Sequence, residues 1–576
     1  MEAIRRWVET IDNAVAATAV GHYFRLEGST HPKARPGARF LNEIRAGITI
    51  FFTMAYIISV NATIITQSGG TCECDRTDDA LCLKSPEYAQ CLVVLQRDLI
   101  TATAAISALS SFAMGLLANL PIALAPGMGI NAYFTYQVVG FHGTGPISYR
   151  VAMTAVFIEG LIFVALSVFG LRQWLARVIP NSIKIACGAG IGLYLCFIGL
   201  TNSAGIGAIN GAMATPVELG ACLPEFRNEF GECTSHKLQN PTMWIGFMLG
   251  CLLTALLMMY KVKSAMIIGI LLVSIMSWPR NTNFTFFPHD AEGTGDLKFD
   301  FFKKVVTFHP IQTILAPQDW SLSGVNAGQF ALALCTFLYV DILDVTGTLY
   351  SMVRFCGVVD PETGDFERQT IAYTTDATMI TIGSLFGTSP VTAFIESGAG
   401  IAQGAKTGLA AMSAGFCFFI AIFFAPIFAS IPPWATGGAL MLVGCMMMKA
   451  VMGINWNYAG DAIPAFATLI FMPFSYSIAY GLIAGLLCYT VLNGAAFILK
   501  LISGGRIKPA DEDLKEYWTY KLPENASKPW FIRALNGEKR FWESPGKDQI
   551  MELNSVASGK GEFEGRDSGH RSQPSQ

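Results

Sequence analysis

The sequence predicts an all-α polytopic membrane protein of about 14 transmembrane segments, built as 7+7 inverted repeats with two short strands in broken spans three and ten. Three observations carry that reading. Of the 576 residues 52% are hydrophobic and only 14% charged, with a mean hydropathy of +0.44, whereas soluble domains carry about 25% charged residues. Long apolar runs follow one another along the chain. Two of those runs are interrupted by Pro and Gly in the same way. The composition excludes a disordered chain, a collagen-like fibre and a small disulfide scaffold. The net charge of −3 is unevenly placed, in the tails and a few loops, and supports no nucleic-acid-binding surface.

Residues 1–41 are polar and basic (Arg5, Arg6, Arg25, Lys33, Arg35, Arg39) and hold no short apolar core before a small-residue site, so no cleavable signal is expected. A bilayer core needs about 20 apolar helical residues. Candidate spans fall at about 42–67, 99–119, 121–141, 149–170, 181–200, 242–260, 264–279, 328–351, 368–387, 388–404, 408–429, 431–452, 461–475 and 476–503. The positive-inside rule places the N-terminal tail in the cytosol. Continuing the count puts Arg172, Arg177, Lys184, Lys261, Lys263, Lys449, Lys500, Arg506 and Lys508 inside, and the acidic loops 69–98 and 201–241 outside. The expected organisation is a cytosolic tail over 1–41, a first seven-span repeat over 42–279, an extracellular loop over 280–327, a second repeat over 328–503 and a cytosolic tail over 504–576. That last tail begins amphipathic and ends in Ser, Gly, Lys and Glu, a composition that resists folding.

Cys72, Cys74, Cys82 and Cys91 crowd one outside loop and Cys222 and Cys233 another, so disulfides are expected without a readable pairing. The other eight of the 14 cysteines lie in or beside apolar runs and read as small hydrophobes. No cluster has metal-ligand spacing. Asn283-Phe284-Thr285 is a sequon, a pattern chance often produces.

The two broken spans are the most informative feature. The first reads Pro121 to Phe134 through Pro126, Gly127, Gly129 and Asn131. The second reads Gly387 to Gly400 through Pro390, Phe394, Glu396 and Gly398. From Pro126 to Asn131 is five positions, and from Pro390 to Glu396 six. Each is the third span of its half when the chain is divided near residue 325, and an odd number of spans per half inverts the second copy. Non-helical backbone at bilayer depth survives only where protein or a cavity satisfies it. Two such segments can pair as short strands and feed half-helices whose positive N-termini meet at a central site. The alternative is a pair of kinked, continuous helices.

Ionisable groups within spans are costly and usually functional. Asp341 and Asp344, at i and i+3, share a helix face and cannot both be charged and dry, which suits a proton carrier. Glu396 stands where the second broken span turns helical, with a capping role as the alternative. The Asn131 amide offers donor and acceptor together, as the edge of a heterocycle requires, or else caps its helix. Glu159 and Asp376 read better as structural hydrogen-bonding groups, and Thr53 and Asn61 as span-one packing. The sequence holds no P-loop, no GxSxG, no HExxH and no dinucleotide fingerprint, so neither an enzyme nor a nucleotide-driven pump is expected. No cofactor and no metal are implied. Spaced buried carboxylates beside half-helices favour coupled carriage over a channel.

The runs ALAPGMGINAYFTY (123–136), FLYVDILDVTGTL (337–349) and GTSPVTAFIESGAGI (387–401) resemble the AzgA-like purine permeases, hypoxanthine–adenine–guanine/proton symporters within the nucleobase–ascorbate transporter superfamily. The similarity extends over roughly residues 35–505, and the cysteine-rich loop and long tails look like fungal members. The resemblance implies a core domain of spans one to four and eight to eleven, a gate domain of the rest, elevator-like movement, a homodimer and residence in the plasma membrane among its lipids. It also implies that Asn131, Asp341, Phe394 and Glu396 contact a purine base and that Asp344, with Asp341, couples protons. The stretch Ile395 to Gly400 lacks the Asn-x-Gly-x-x-x-x-Thr signature of the ascorbate and urate branch, which argues against xanthine, urate and ascorbate. A uracil or anion carrier of the same fold, or a non-transporting receptor or channel, is the alternative function.

Overall fold

The computed structural model describes residues 2–515, apart from 74–84, 171–179, 202–204, 212–214, 216, 228–231, 263, 290–293, 322–326, 359–365 and 510. The chain opens with helices α1 (Glu2–Ala16) and α2 (Ala19–Phe24). The first apolar run is α3 (Phe40–Met54) and α4 (Tyr56–Thr66), and the second is α5 (Pro86–Ala118). The first broken span is strand β1 (Leu124–Pro126) followed by α6 (Met128–Tyr133), which continues in wider turns to Val138. Then come α7 (Tyr149–Val168) and α8 (Asn181–Leu200). The loop after α8 holds a small hairpin, β2 (Ile209–Asn210) and β3 (Glu218–Leu219). Beyond it lie α9 (Pro241–Met259), α10 (Ala265–Ser277), the short α11 (Thr294–Phe302), the long α12 (Ala327–Cys356) and α13 (Gln369–Leu385). The second broken span is β4 (Val391–Ala393), one tight turn (Ile395–Ser397) and α14 (Gly398–Ile401). The chain ends in α15 (Gly408–Ala429), α16 (Pro433–Gly453), α17 (Ala459–Phe474) and α18 (Ile478–Ile502).

Among the described residues, nine helices are long and apolar enough to cross a bilayer, and α10 and α17 are shorter apolar helices. The helices sort into two packed groups. In one, α15 lies on α3 and α5, and α13 lies on α7. In the other, α8 packs on α16 and α17, α17 on α18, and α16 on α9 and α10. Small residues set these distances, since apolar lipid offers helices no hydrophobic drive to associate. A Cβ on Gly444 would stand 2.3 Å from the Gly192 carbonyl oxygen, so α16 and α8 meet at their backbones.

The broken spans are not kinked continuous helices. β1 and β4 pair antiparallel, Leu124 opposite Ala393, Ala125 opposite Thr392 and Pro126 opposite Val391. Pro126 brings no N–H, but the next residue supplies one: Gly127 donates to the Pro390 carbonyl at 2.9 Å, and Phe394 donates to Ala123 at 3.2 Å. Side chains satisfy the outer edge of β1. Ser110 and Ser111 hydroxyls donate to the Leu124 carbonyl, the Leu124 N–H donates to Ser111, and the Ala123 N–H donates to the Ser397 hydroxyl. This is the accounting that irregular backbone at membrane depth demands.

The loops are pinned as well. Cys72 pairs with Cys91 and Cys222 with Cys233, while Cys74 and Cys82 fall outside the described residues. The buried Asp98 carboxylate of α5 accepts from His309 Nε2 at 2.9 Å, from the Gln312 N–H at 3.0 Å and from both the N–H and hydroxyl of Thr313 at 2.7 Å, tying down the segment between α11 and α12. The N-terminal stretch is more than a solvated tail. Tyr23 donates to the Leu116 carbonyl, Asn119 donates to Phe24, Arg35 donates to the Asn119 and Lys406 carbonyls, and Arg25 pairs with Glu367. Burial, with Arg35 and Arg368 nearby, pushes the Arg25 guanidinium down to about 10. Of the C-terminal tail, residues 516–576 lie outside the described residues, and before them Lys500 of α18 pairs with Glu512.

Candidate functional site

The strand pair gathers the polar residues of five segments. Asp344 of α12 accepts from the Thr392 hydroxyl of β4 at 3.1 Å. Thr392 points this way because strand side chains alternate, and Gly127 leaves it room: a Cβ there would stand 2.8 Å from Thr392 Cγ2. Glu396 sits inside the tight turn that follows β4, where Phe394 is the cap residue. The carboxylate is therefore free of capping duty, and its Oε1 accepts the Tyr56 hydroxyl of α4 at 2.8 Å. The Thr53 hydroxyl donates to the Ile50 carbonyl at 2.8 Å and lies 3.4 Å from the Glu396 carbonyl oxygen. Asp344 and Glu396 are electrostatic neighbours, so charge on one is felt by the other.

Asn131 lies one turn into α6, fully buried, and neither its amide oxygen nor its nitrogen has a hydrogen-bond partner among the described residues. It does not cap α6, whose cap position is Gly127. A buried carboxamide left to itself is costly, and this one offers a donor and an acceptor together. Asp341 is buried one turn before Asp344 on α12, and Phe394 is buried beside the strand pair. Helix α12 packs on α6, on β4 and on the turn holding Glu396. Across from this cluster stands α8, where Ile191 fills the space over Gly129.

The remaining polar groups of the spans sort as the sequence suggests for Asn61, which donates to Thr103 at 2.7 Å and accepts from Ser389 at 3.4 Å, holding the entrance of β4. Glu159 and Asp376 are buried on α7 and α13. Tyr56 and Thr392 were not singled out in the sequence. Each touches a carboxylate, and the available signal was one hydroxyl among several in span one and one in a three-residue strand.

Residues 88–484 match a family model described as a permease family, that of xanthine and uracil permeases. The chain is 58% identical over 550 residues to a protein of Aspergillus versicolor named efflux pump notK', with 95% of each chain covered. The chain belongs to this permease family. It is also 56% identical to a putative xanthine/uracil permease of Schizosaccharomyces pombe, covering 96% of this chain and 87% of that one. To the guanine/hypoxanthine permease PbuG of Bacillus subtilis it is 34% identical, covering 79% and 91%. The permease is therefore a member of the nucleobase–ascorbate transporter superfamily and a carrier, not an enzyme. Its fold is that of the transmembrane domain of a cyanobacterium bicarbonate transporter, BicA, with a TM-score of 0.50 at 14% identity over 77% of this permease and 97% of that chain. That likeness supports a helical membrane transporter with core and gate groups, as the packing here displays.

Proposed function

We propose that the permease is a proton-coupled symporter that imports hypoxanthine, adenine and guanine across the plasma membrane. The observation that carries this reading is a buried carboxamide without a partner among the described residues, Asn131, on a half-helix packed against α12, which carries Asp344, while Glu396 lies in the turn after β4. A purine offers ring nitrogens, N–H groups and a 6-substituent along its edges. Asn131, Asp341 and Glu396 read those edges, and Phe394 covers a face of the base. Asp344, with Asp341 one turn outward, carries the proton. The inverted pair of seven-span repeats and the core group moving against the gate group belong to the same reading, supported by the matched broken spans and the two-group packing; the cytosolic termini rest on the placement of basic residues and the homodimer on the family resemblance.

The mechanism follows from the charges. With two neighbouring carboxylates ionised, repulsion and dehydration oppose closing the site. A proton from outside relieves that, the base docks, and the smaller net charge crosses with the core group. The neutral purine and the proton then leave together to the cytosol. Export is the second reading, favoured by the relative named an efflux pump. Radiolabelled hypoxanthine uptake in cells lacking other purine carriers decides between them. Uptake that concentrates purine and collapses with a protonophore supports the symporter. Protonophore-insensitive loss of preloaded purine supports export.

A further inference from the structure

We propose that a file of buried water between span one and span three carries the proton from the extracellular side to Glu396. The inference rests on the proton-symport reading and adds the route. The hydroxyls of Ser59 and Thr63 on α4 and of Thr135 just beyond α6, with both amide atoms of Asn131, are buried and have no hydrogen-bond partner among the described residues.

Serine and threonine hydroxyls inside helices usually return to the carbonyl one turn back. Thr49 and Thr66, in the same apolar run, do so, as do Thr336, Thr378 and Ser413 elsewhere. Ser59, Thr63 and Thr135 make no such bond, so their hydroxyls turn away from their own helices. Their directions converge. Tyr56, Ser59 and Thr63 stand at i, i+3 and i+7 and form one stripe of α4, whose inner end is fixed by the Tyr56–Glu396 bond. Asn131 and Thr135, at i and i+4, form a stripe of span three, which packs on α4. One turn beyond Thr63 lies half-buried Gln67, where the extracellular loop begins.

Buried polar groups without protein partners hold water, and water needs two to four polar neighbours, which these stripes supply. Along such a file a hydronium ion at the mouth gives its proton to the first water, and each water passes one proton on as it receives one. The last hands its proton to the Glu396 carboxylate, which passes it to its electrostatic neighbour Asp344, the proton carrier, and is an anion again when the base docks. The hydroxyls reorient and keep their own protons. The titratable groups around the end point are Tyr56 from span one and Asp344 and Asp341 from α12.

The test uses the full chain in liposomes with an internal pH dye, external hypoxanthine and equilibrium hypoxanthine binding measured in parallel. The double variant Ser59→Ala/Thr63→Val keeps the shape and removes both hydroxyls. We expect binding within about twofold of the parent and hypoxanthine-driven internal acidification slowed by about tenfold or more. The hydroxyl-swapping variant Ser59→Thr/Thr63→Ser should restore it. Acidification at the parental rate in Ser59→Ala/Thr63→Val overturns the route while leaving symport standing. Equal impairment of the swap variant means that packing is at work and also overturns it. A parent protein that transports hypoxanthine without acidification removes the symport reading and the route together.

Discussion

At the scale of single residues, five side chains are expected to separate binding from coupling in the proposed cycle. Glu396→Gln keeps an oxygen for the Tyr56 hydroxyl but loses the anion. A hydrogen bond to a charged group contributes roughly 1.5–3 kcal/mol, so purine binding should weaken by about tenfold to a hundredfold with the protein still at the membrane. Tyr56→Phe should weaken it in the same direction by loosening the carboxylate. Equilibrium binding to purified variants checks both. Asn131→Ala makes a sharper case, because the amide makes no hydrogen bond among the described residues. Thermal stability should hold or rise while the apparent KM for all three bases increases, and unchanged uptake kinetics would take Asn131 out of the site. Asp344→Asn can keep the Thr392 hydrogen bond but cannot release a proton. It should lose proton-driven accumulation in vesicles while retaining most binding, whereas Asp341→Asn should lose both.

At the scale of elements, the legible parts of the sequence were those written as spacing. Pro and Gly at matched places in two apolar runs told of strands, and the strands are there, three residues each. Asp341 and Asp344 were legible as one helix face. What stayed hidden depended on contact across the chain. Tyr56 is separated from Glu396 by 340 positions and Thr392 from Asp344 by 48, and no local pattern marks either pair. The N-terminal segment read as a basic tail because its partners, Leu116, Asn119, Lys406 and Glu367, lie far along the chain. Helix contact through glycine is likewise a pairwise fact. Gly444→Ala places a methyl 2.3 Å from a backbone oxygen that cannot move without parting α16 from α8. Overpacking of this kind costs about 1–3 kcal/mol, so the variant should elute with less monodisperse protein and melt earlier in detergent. Gly494→Ala on α18, with nothing within 4 Å, is the control that should not change.

At the scale of the whole molecule, the two packed groups meet along α8, with Gly129 of span three lying against Ile191. This contact joins one group to the other, so it is a sliding surface in the proposed cycle. The N-terminal segment is tied to one of the groups: among the described residues its hydrogen bonds run to the end of α5, the loop before α15 and the start of α13. The last described residues belong to the other, through the Lys500–Glu512 pair at the end of α18. The permease is thus wired like a gauge whose two leads are clipped to different moving parts. A donor fluorophore near residue 20 and an acceptor near residue 512 should report each excursion of the core as a change in energy transfer. Adding hypoxanthine at acidic outside pH should shift that signal, and Glu367→Gln, which unclips Arg25, should blur it before it abolishes uptake.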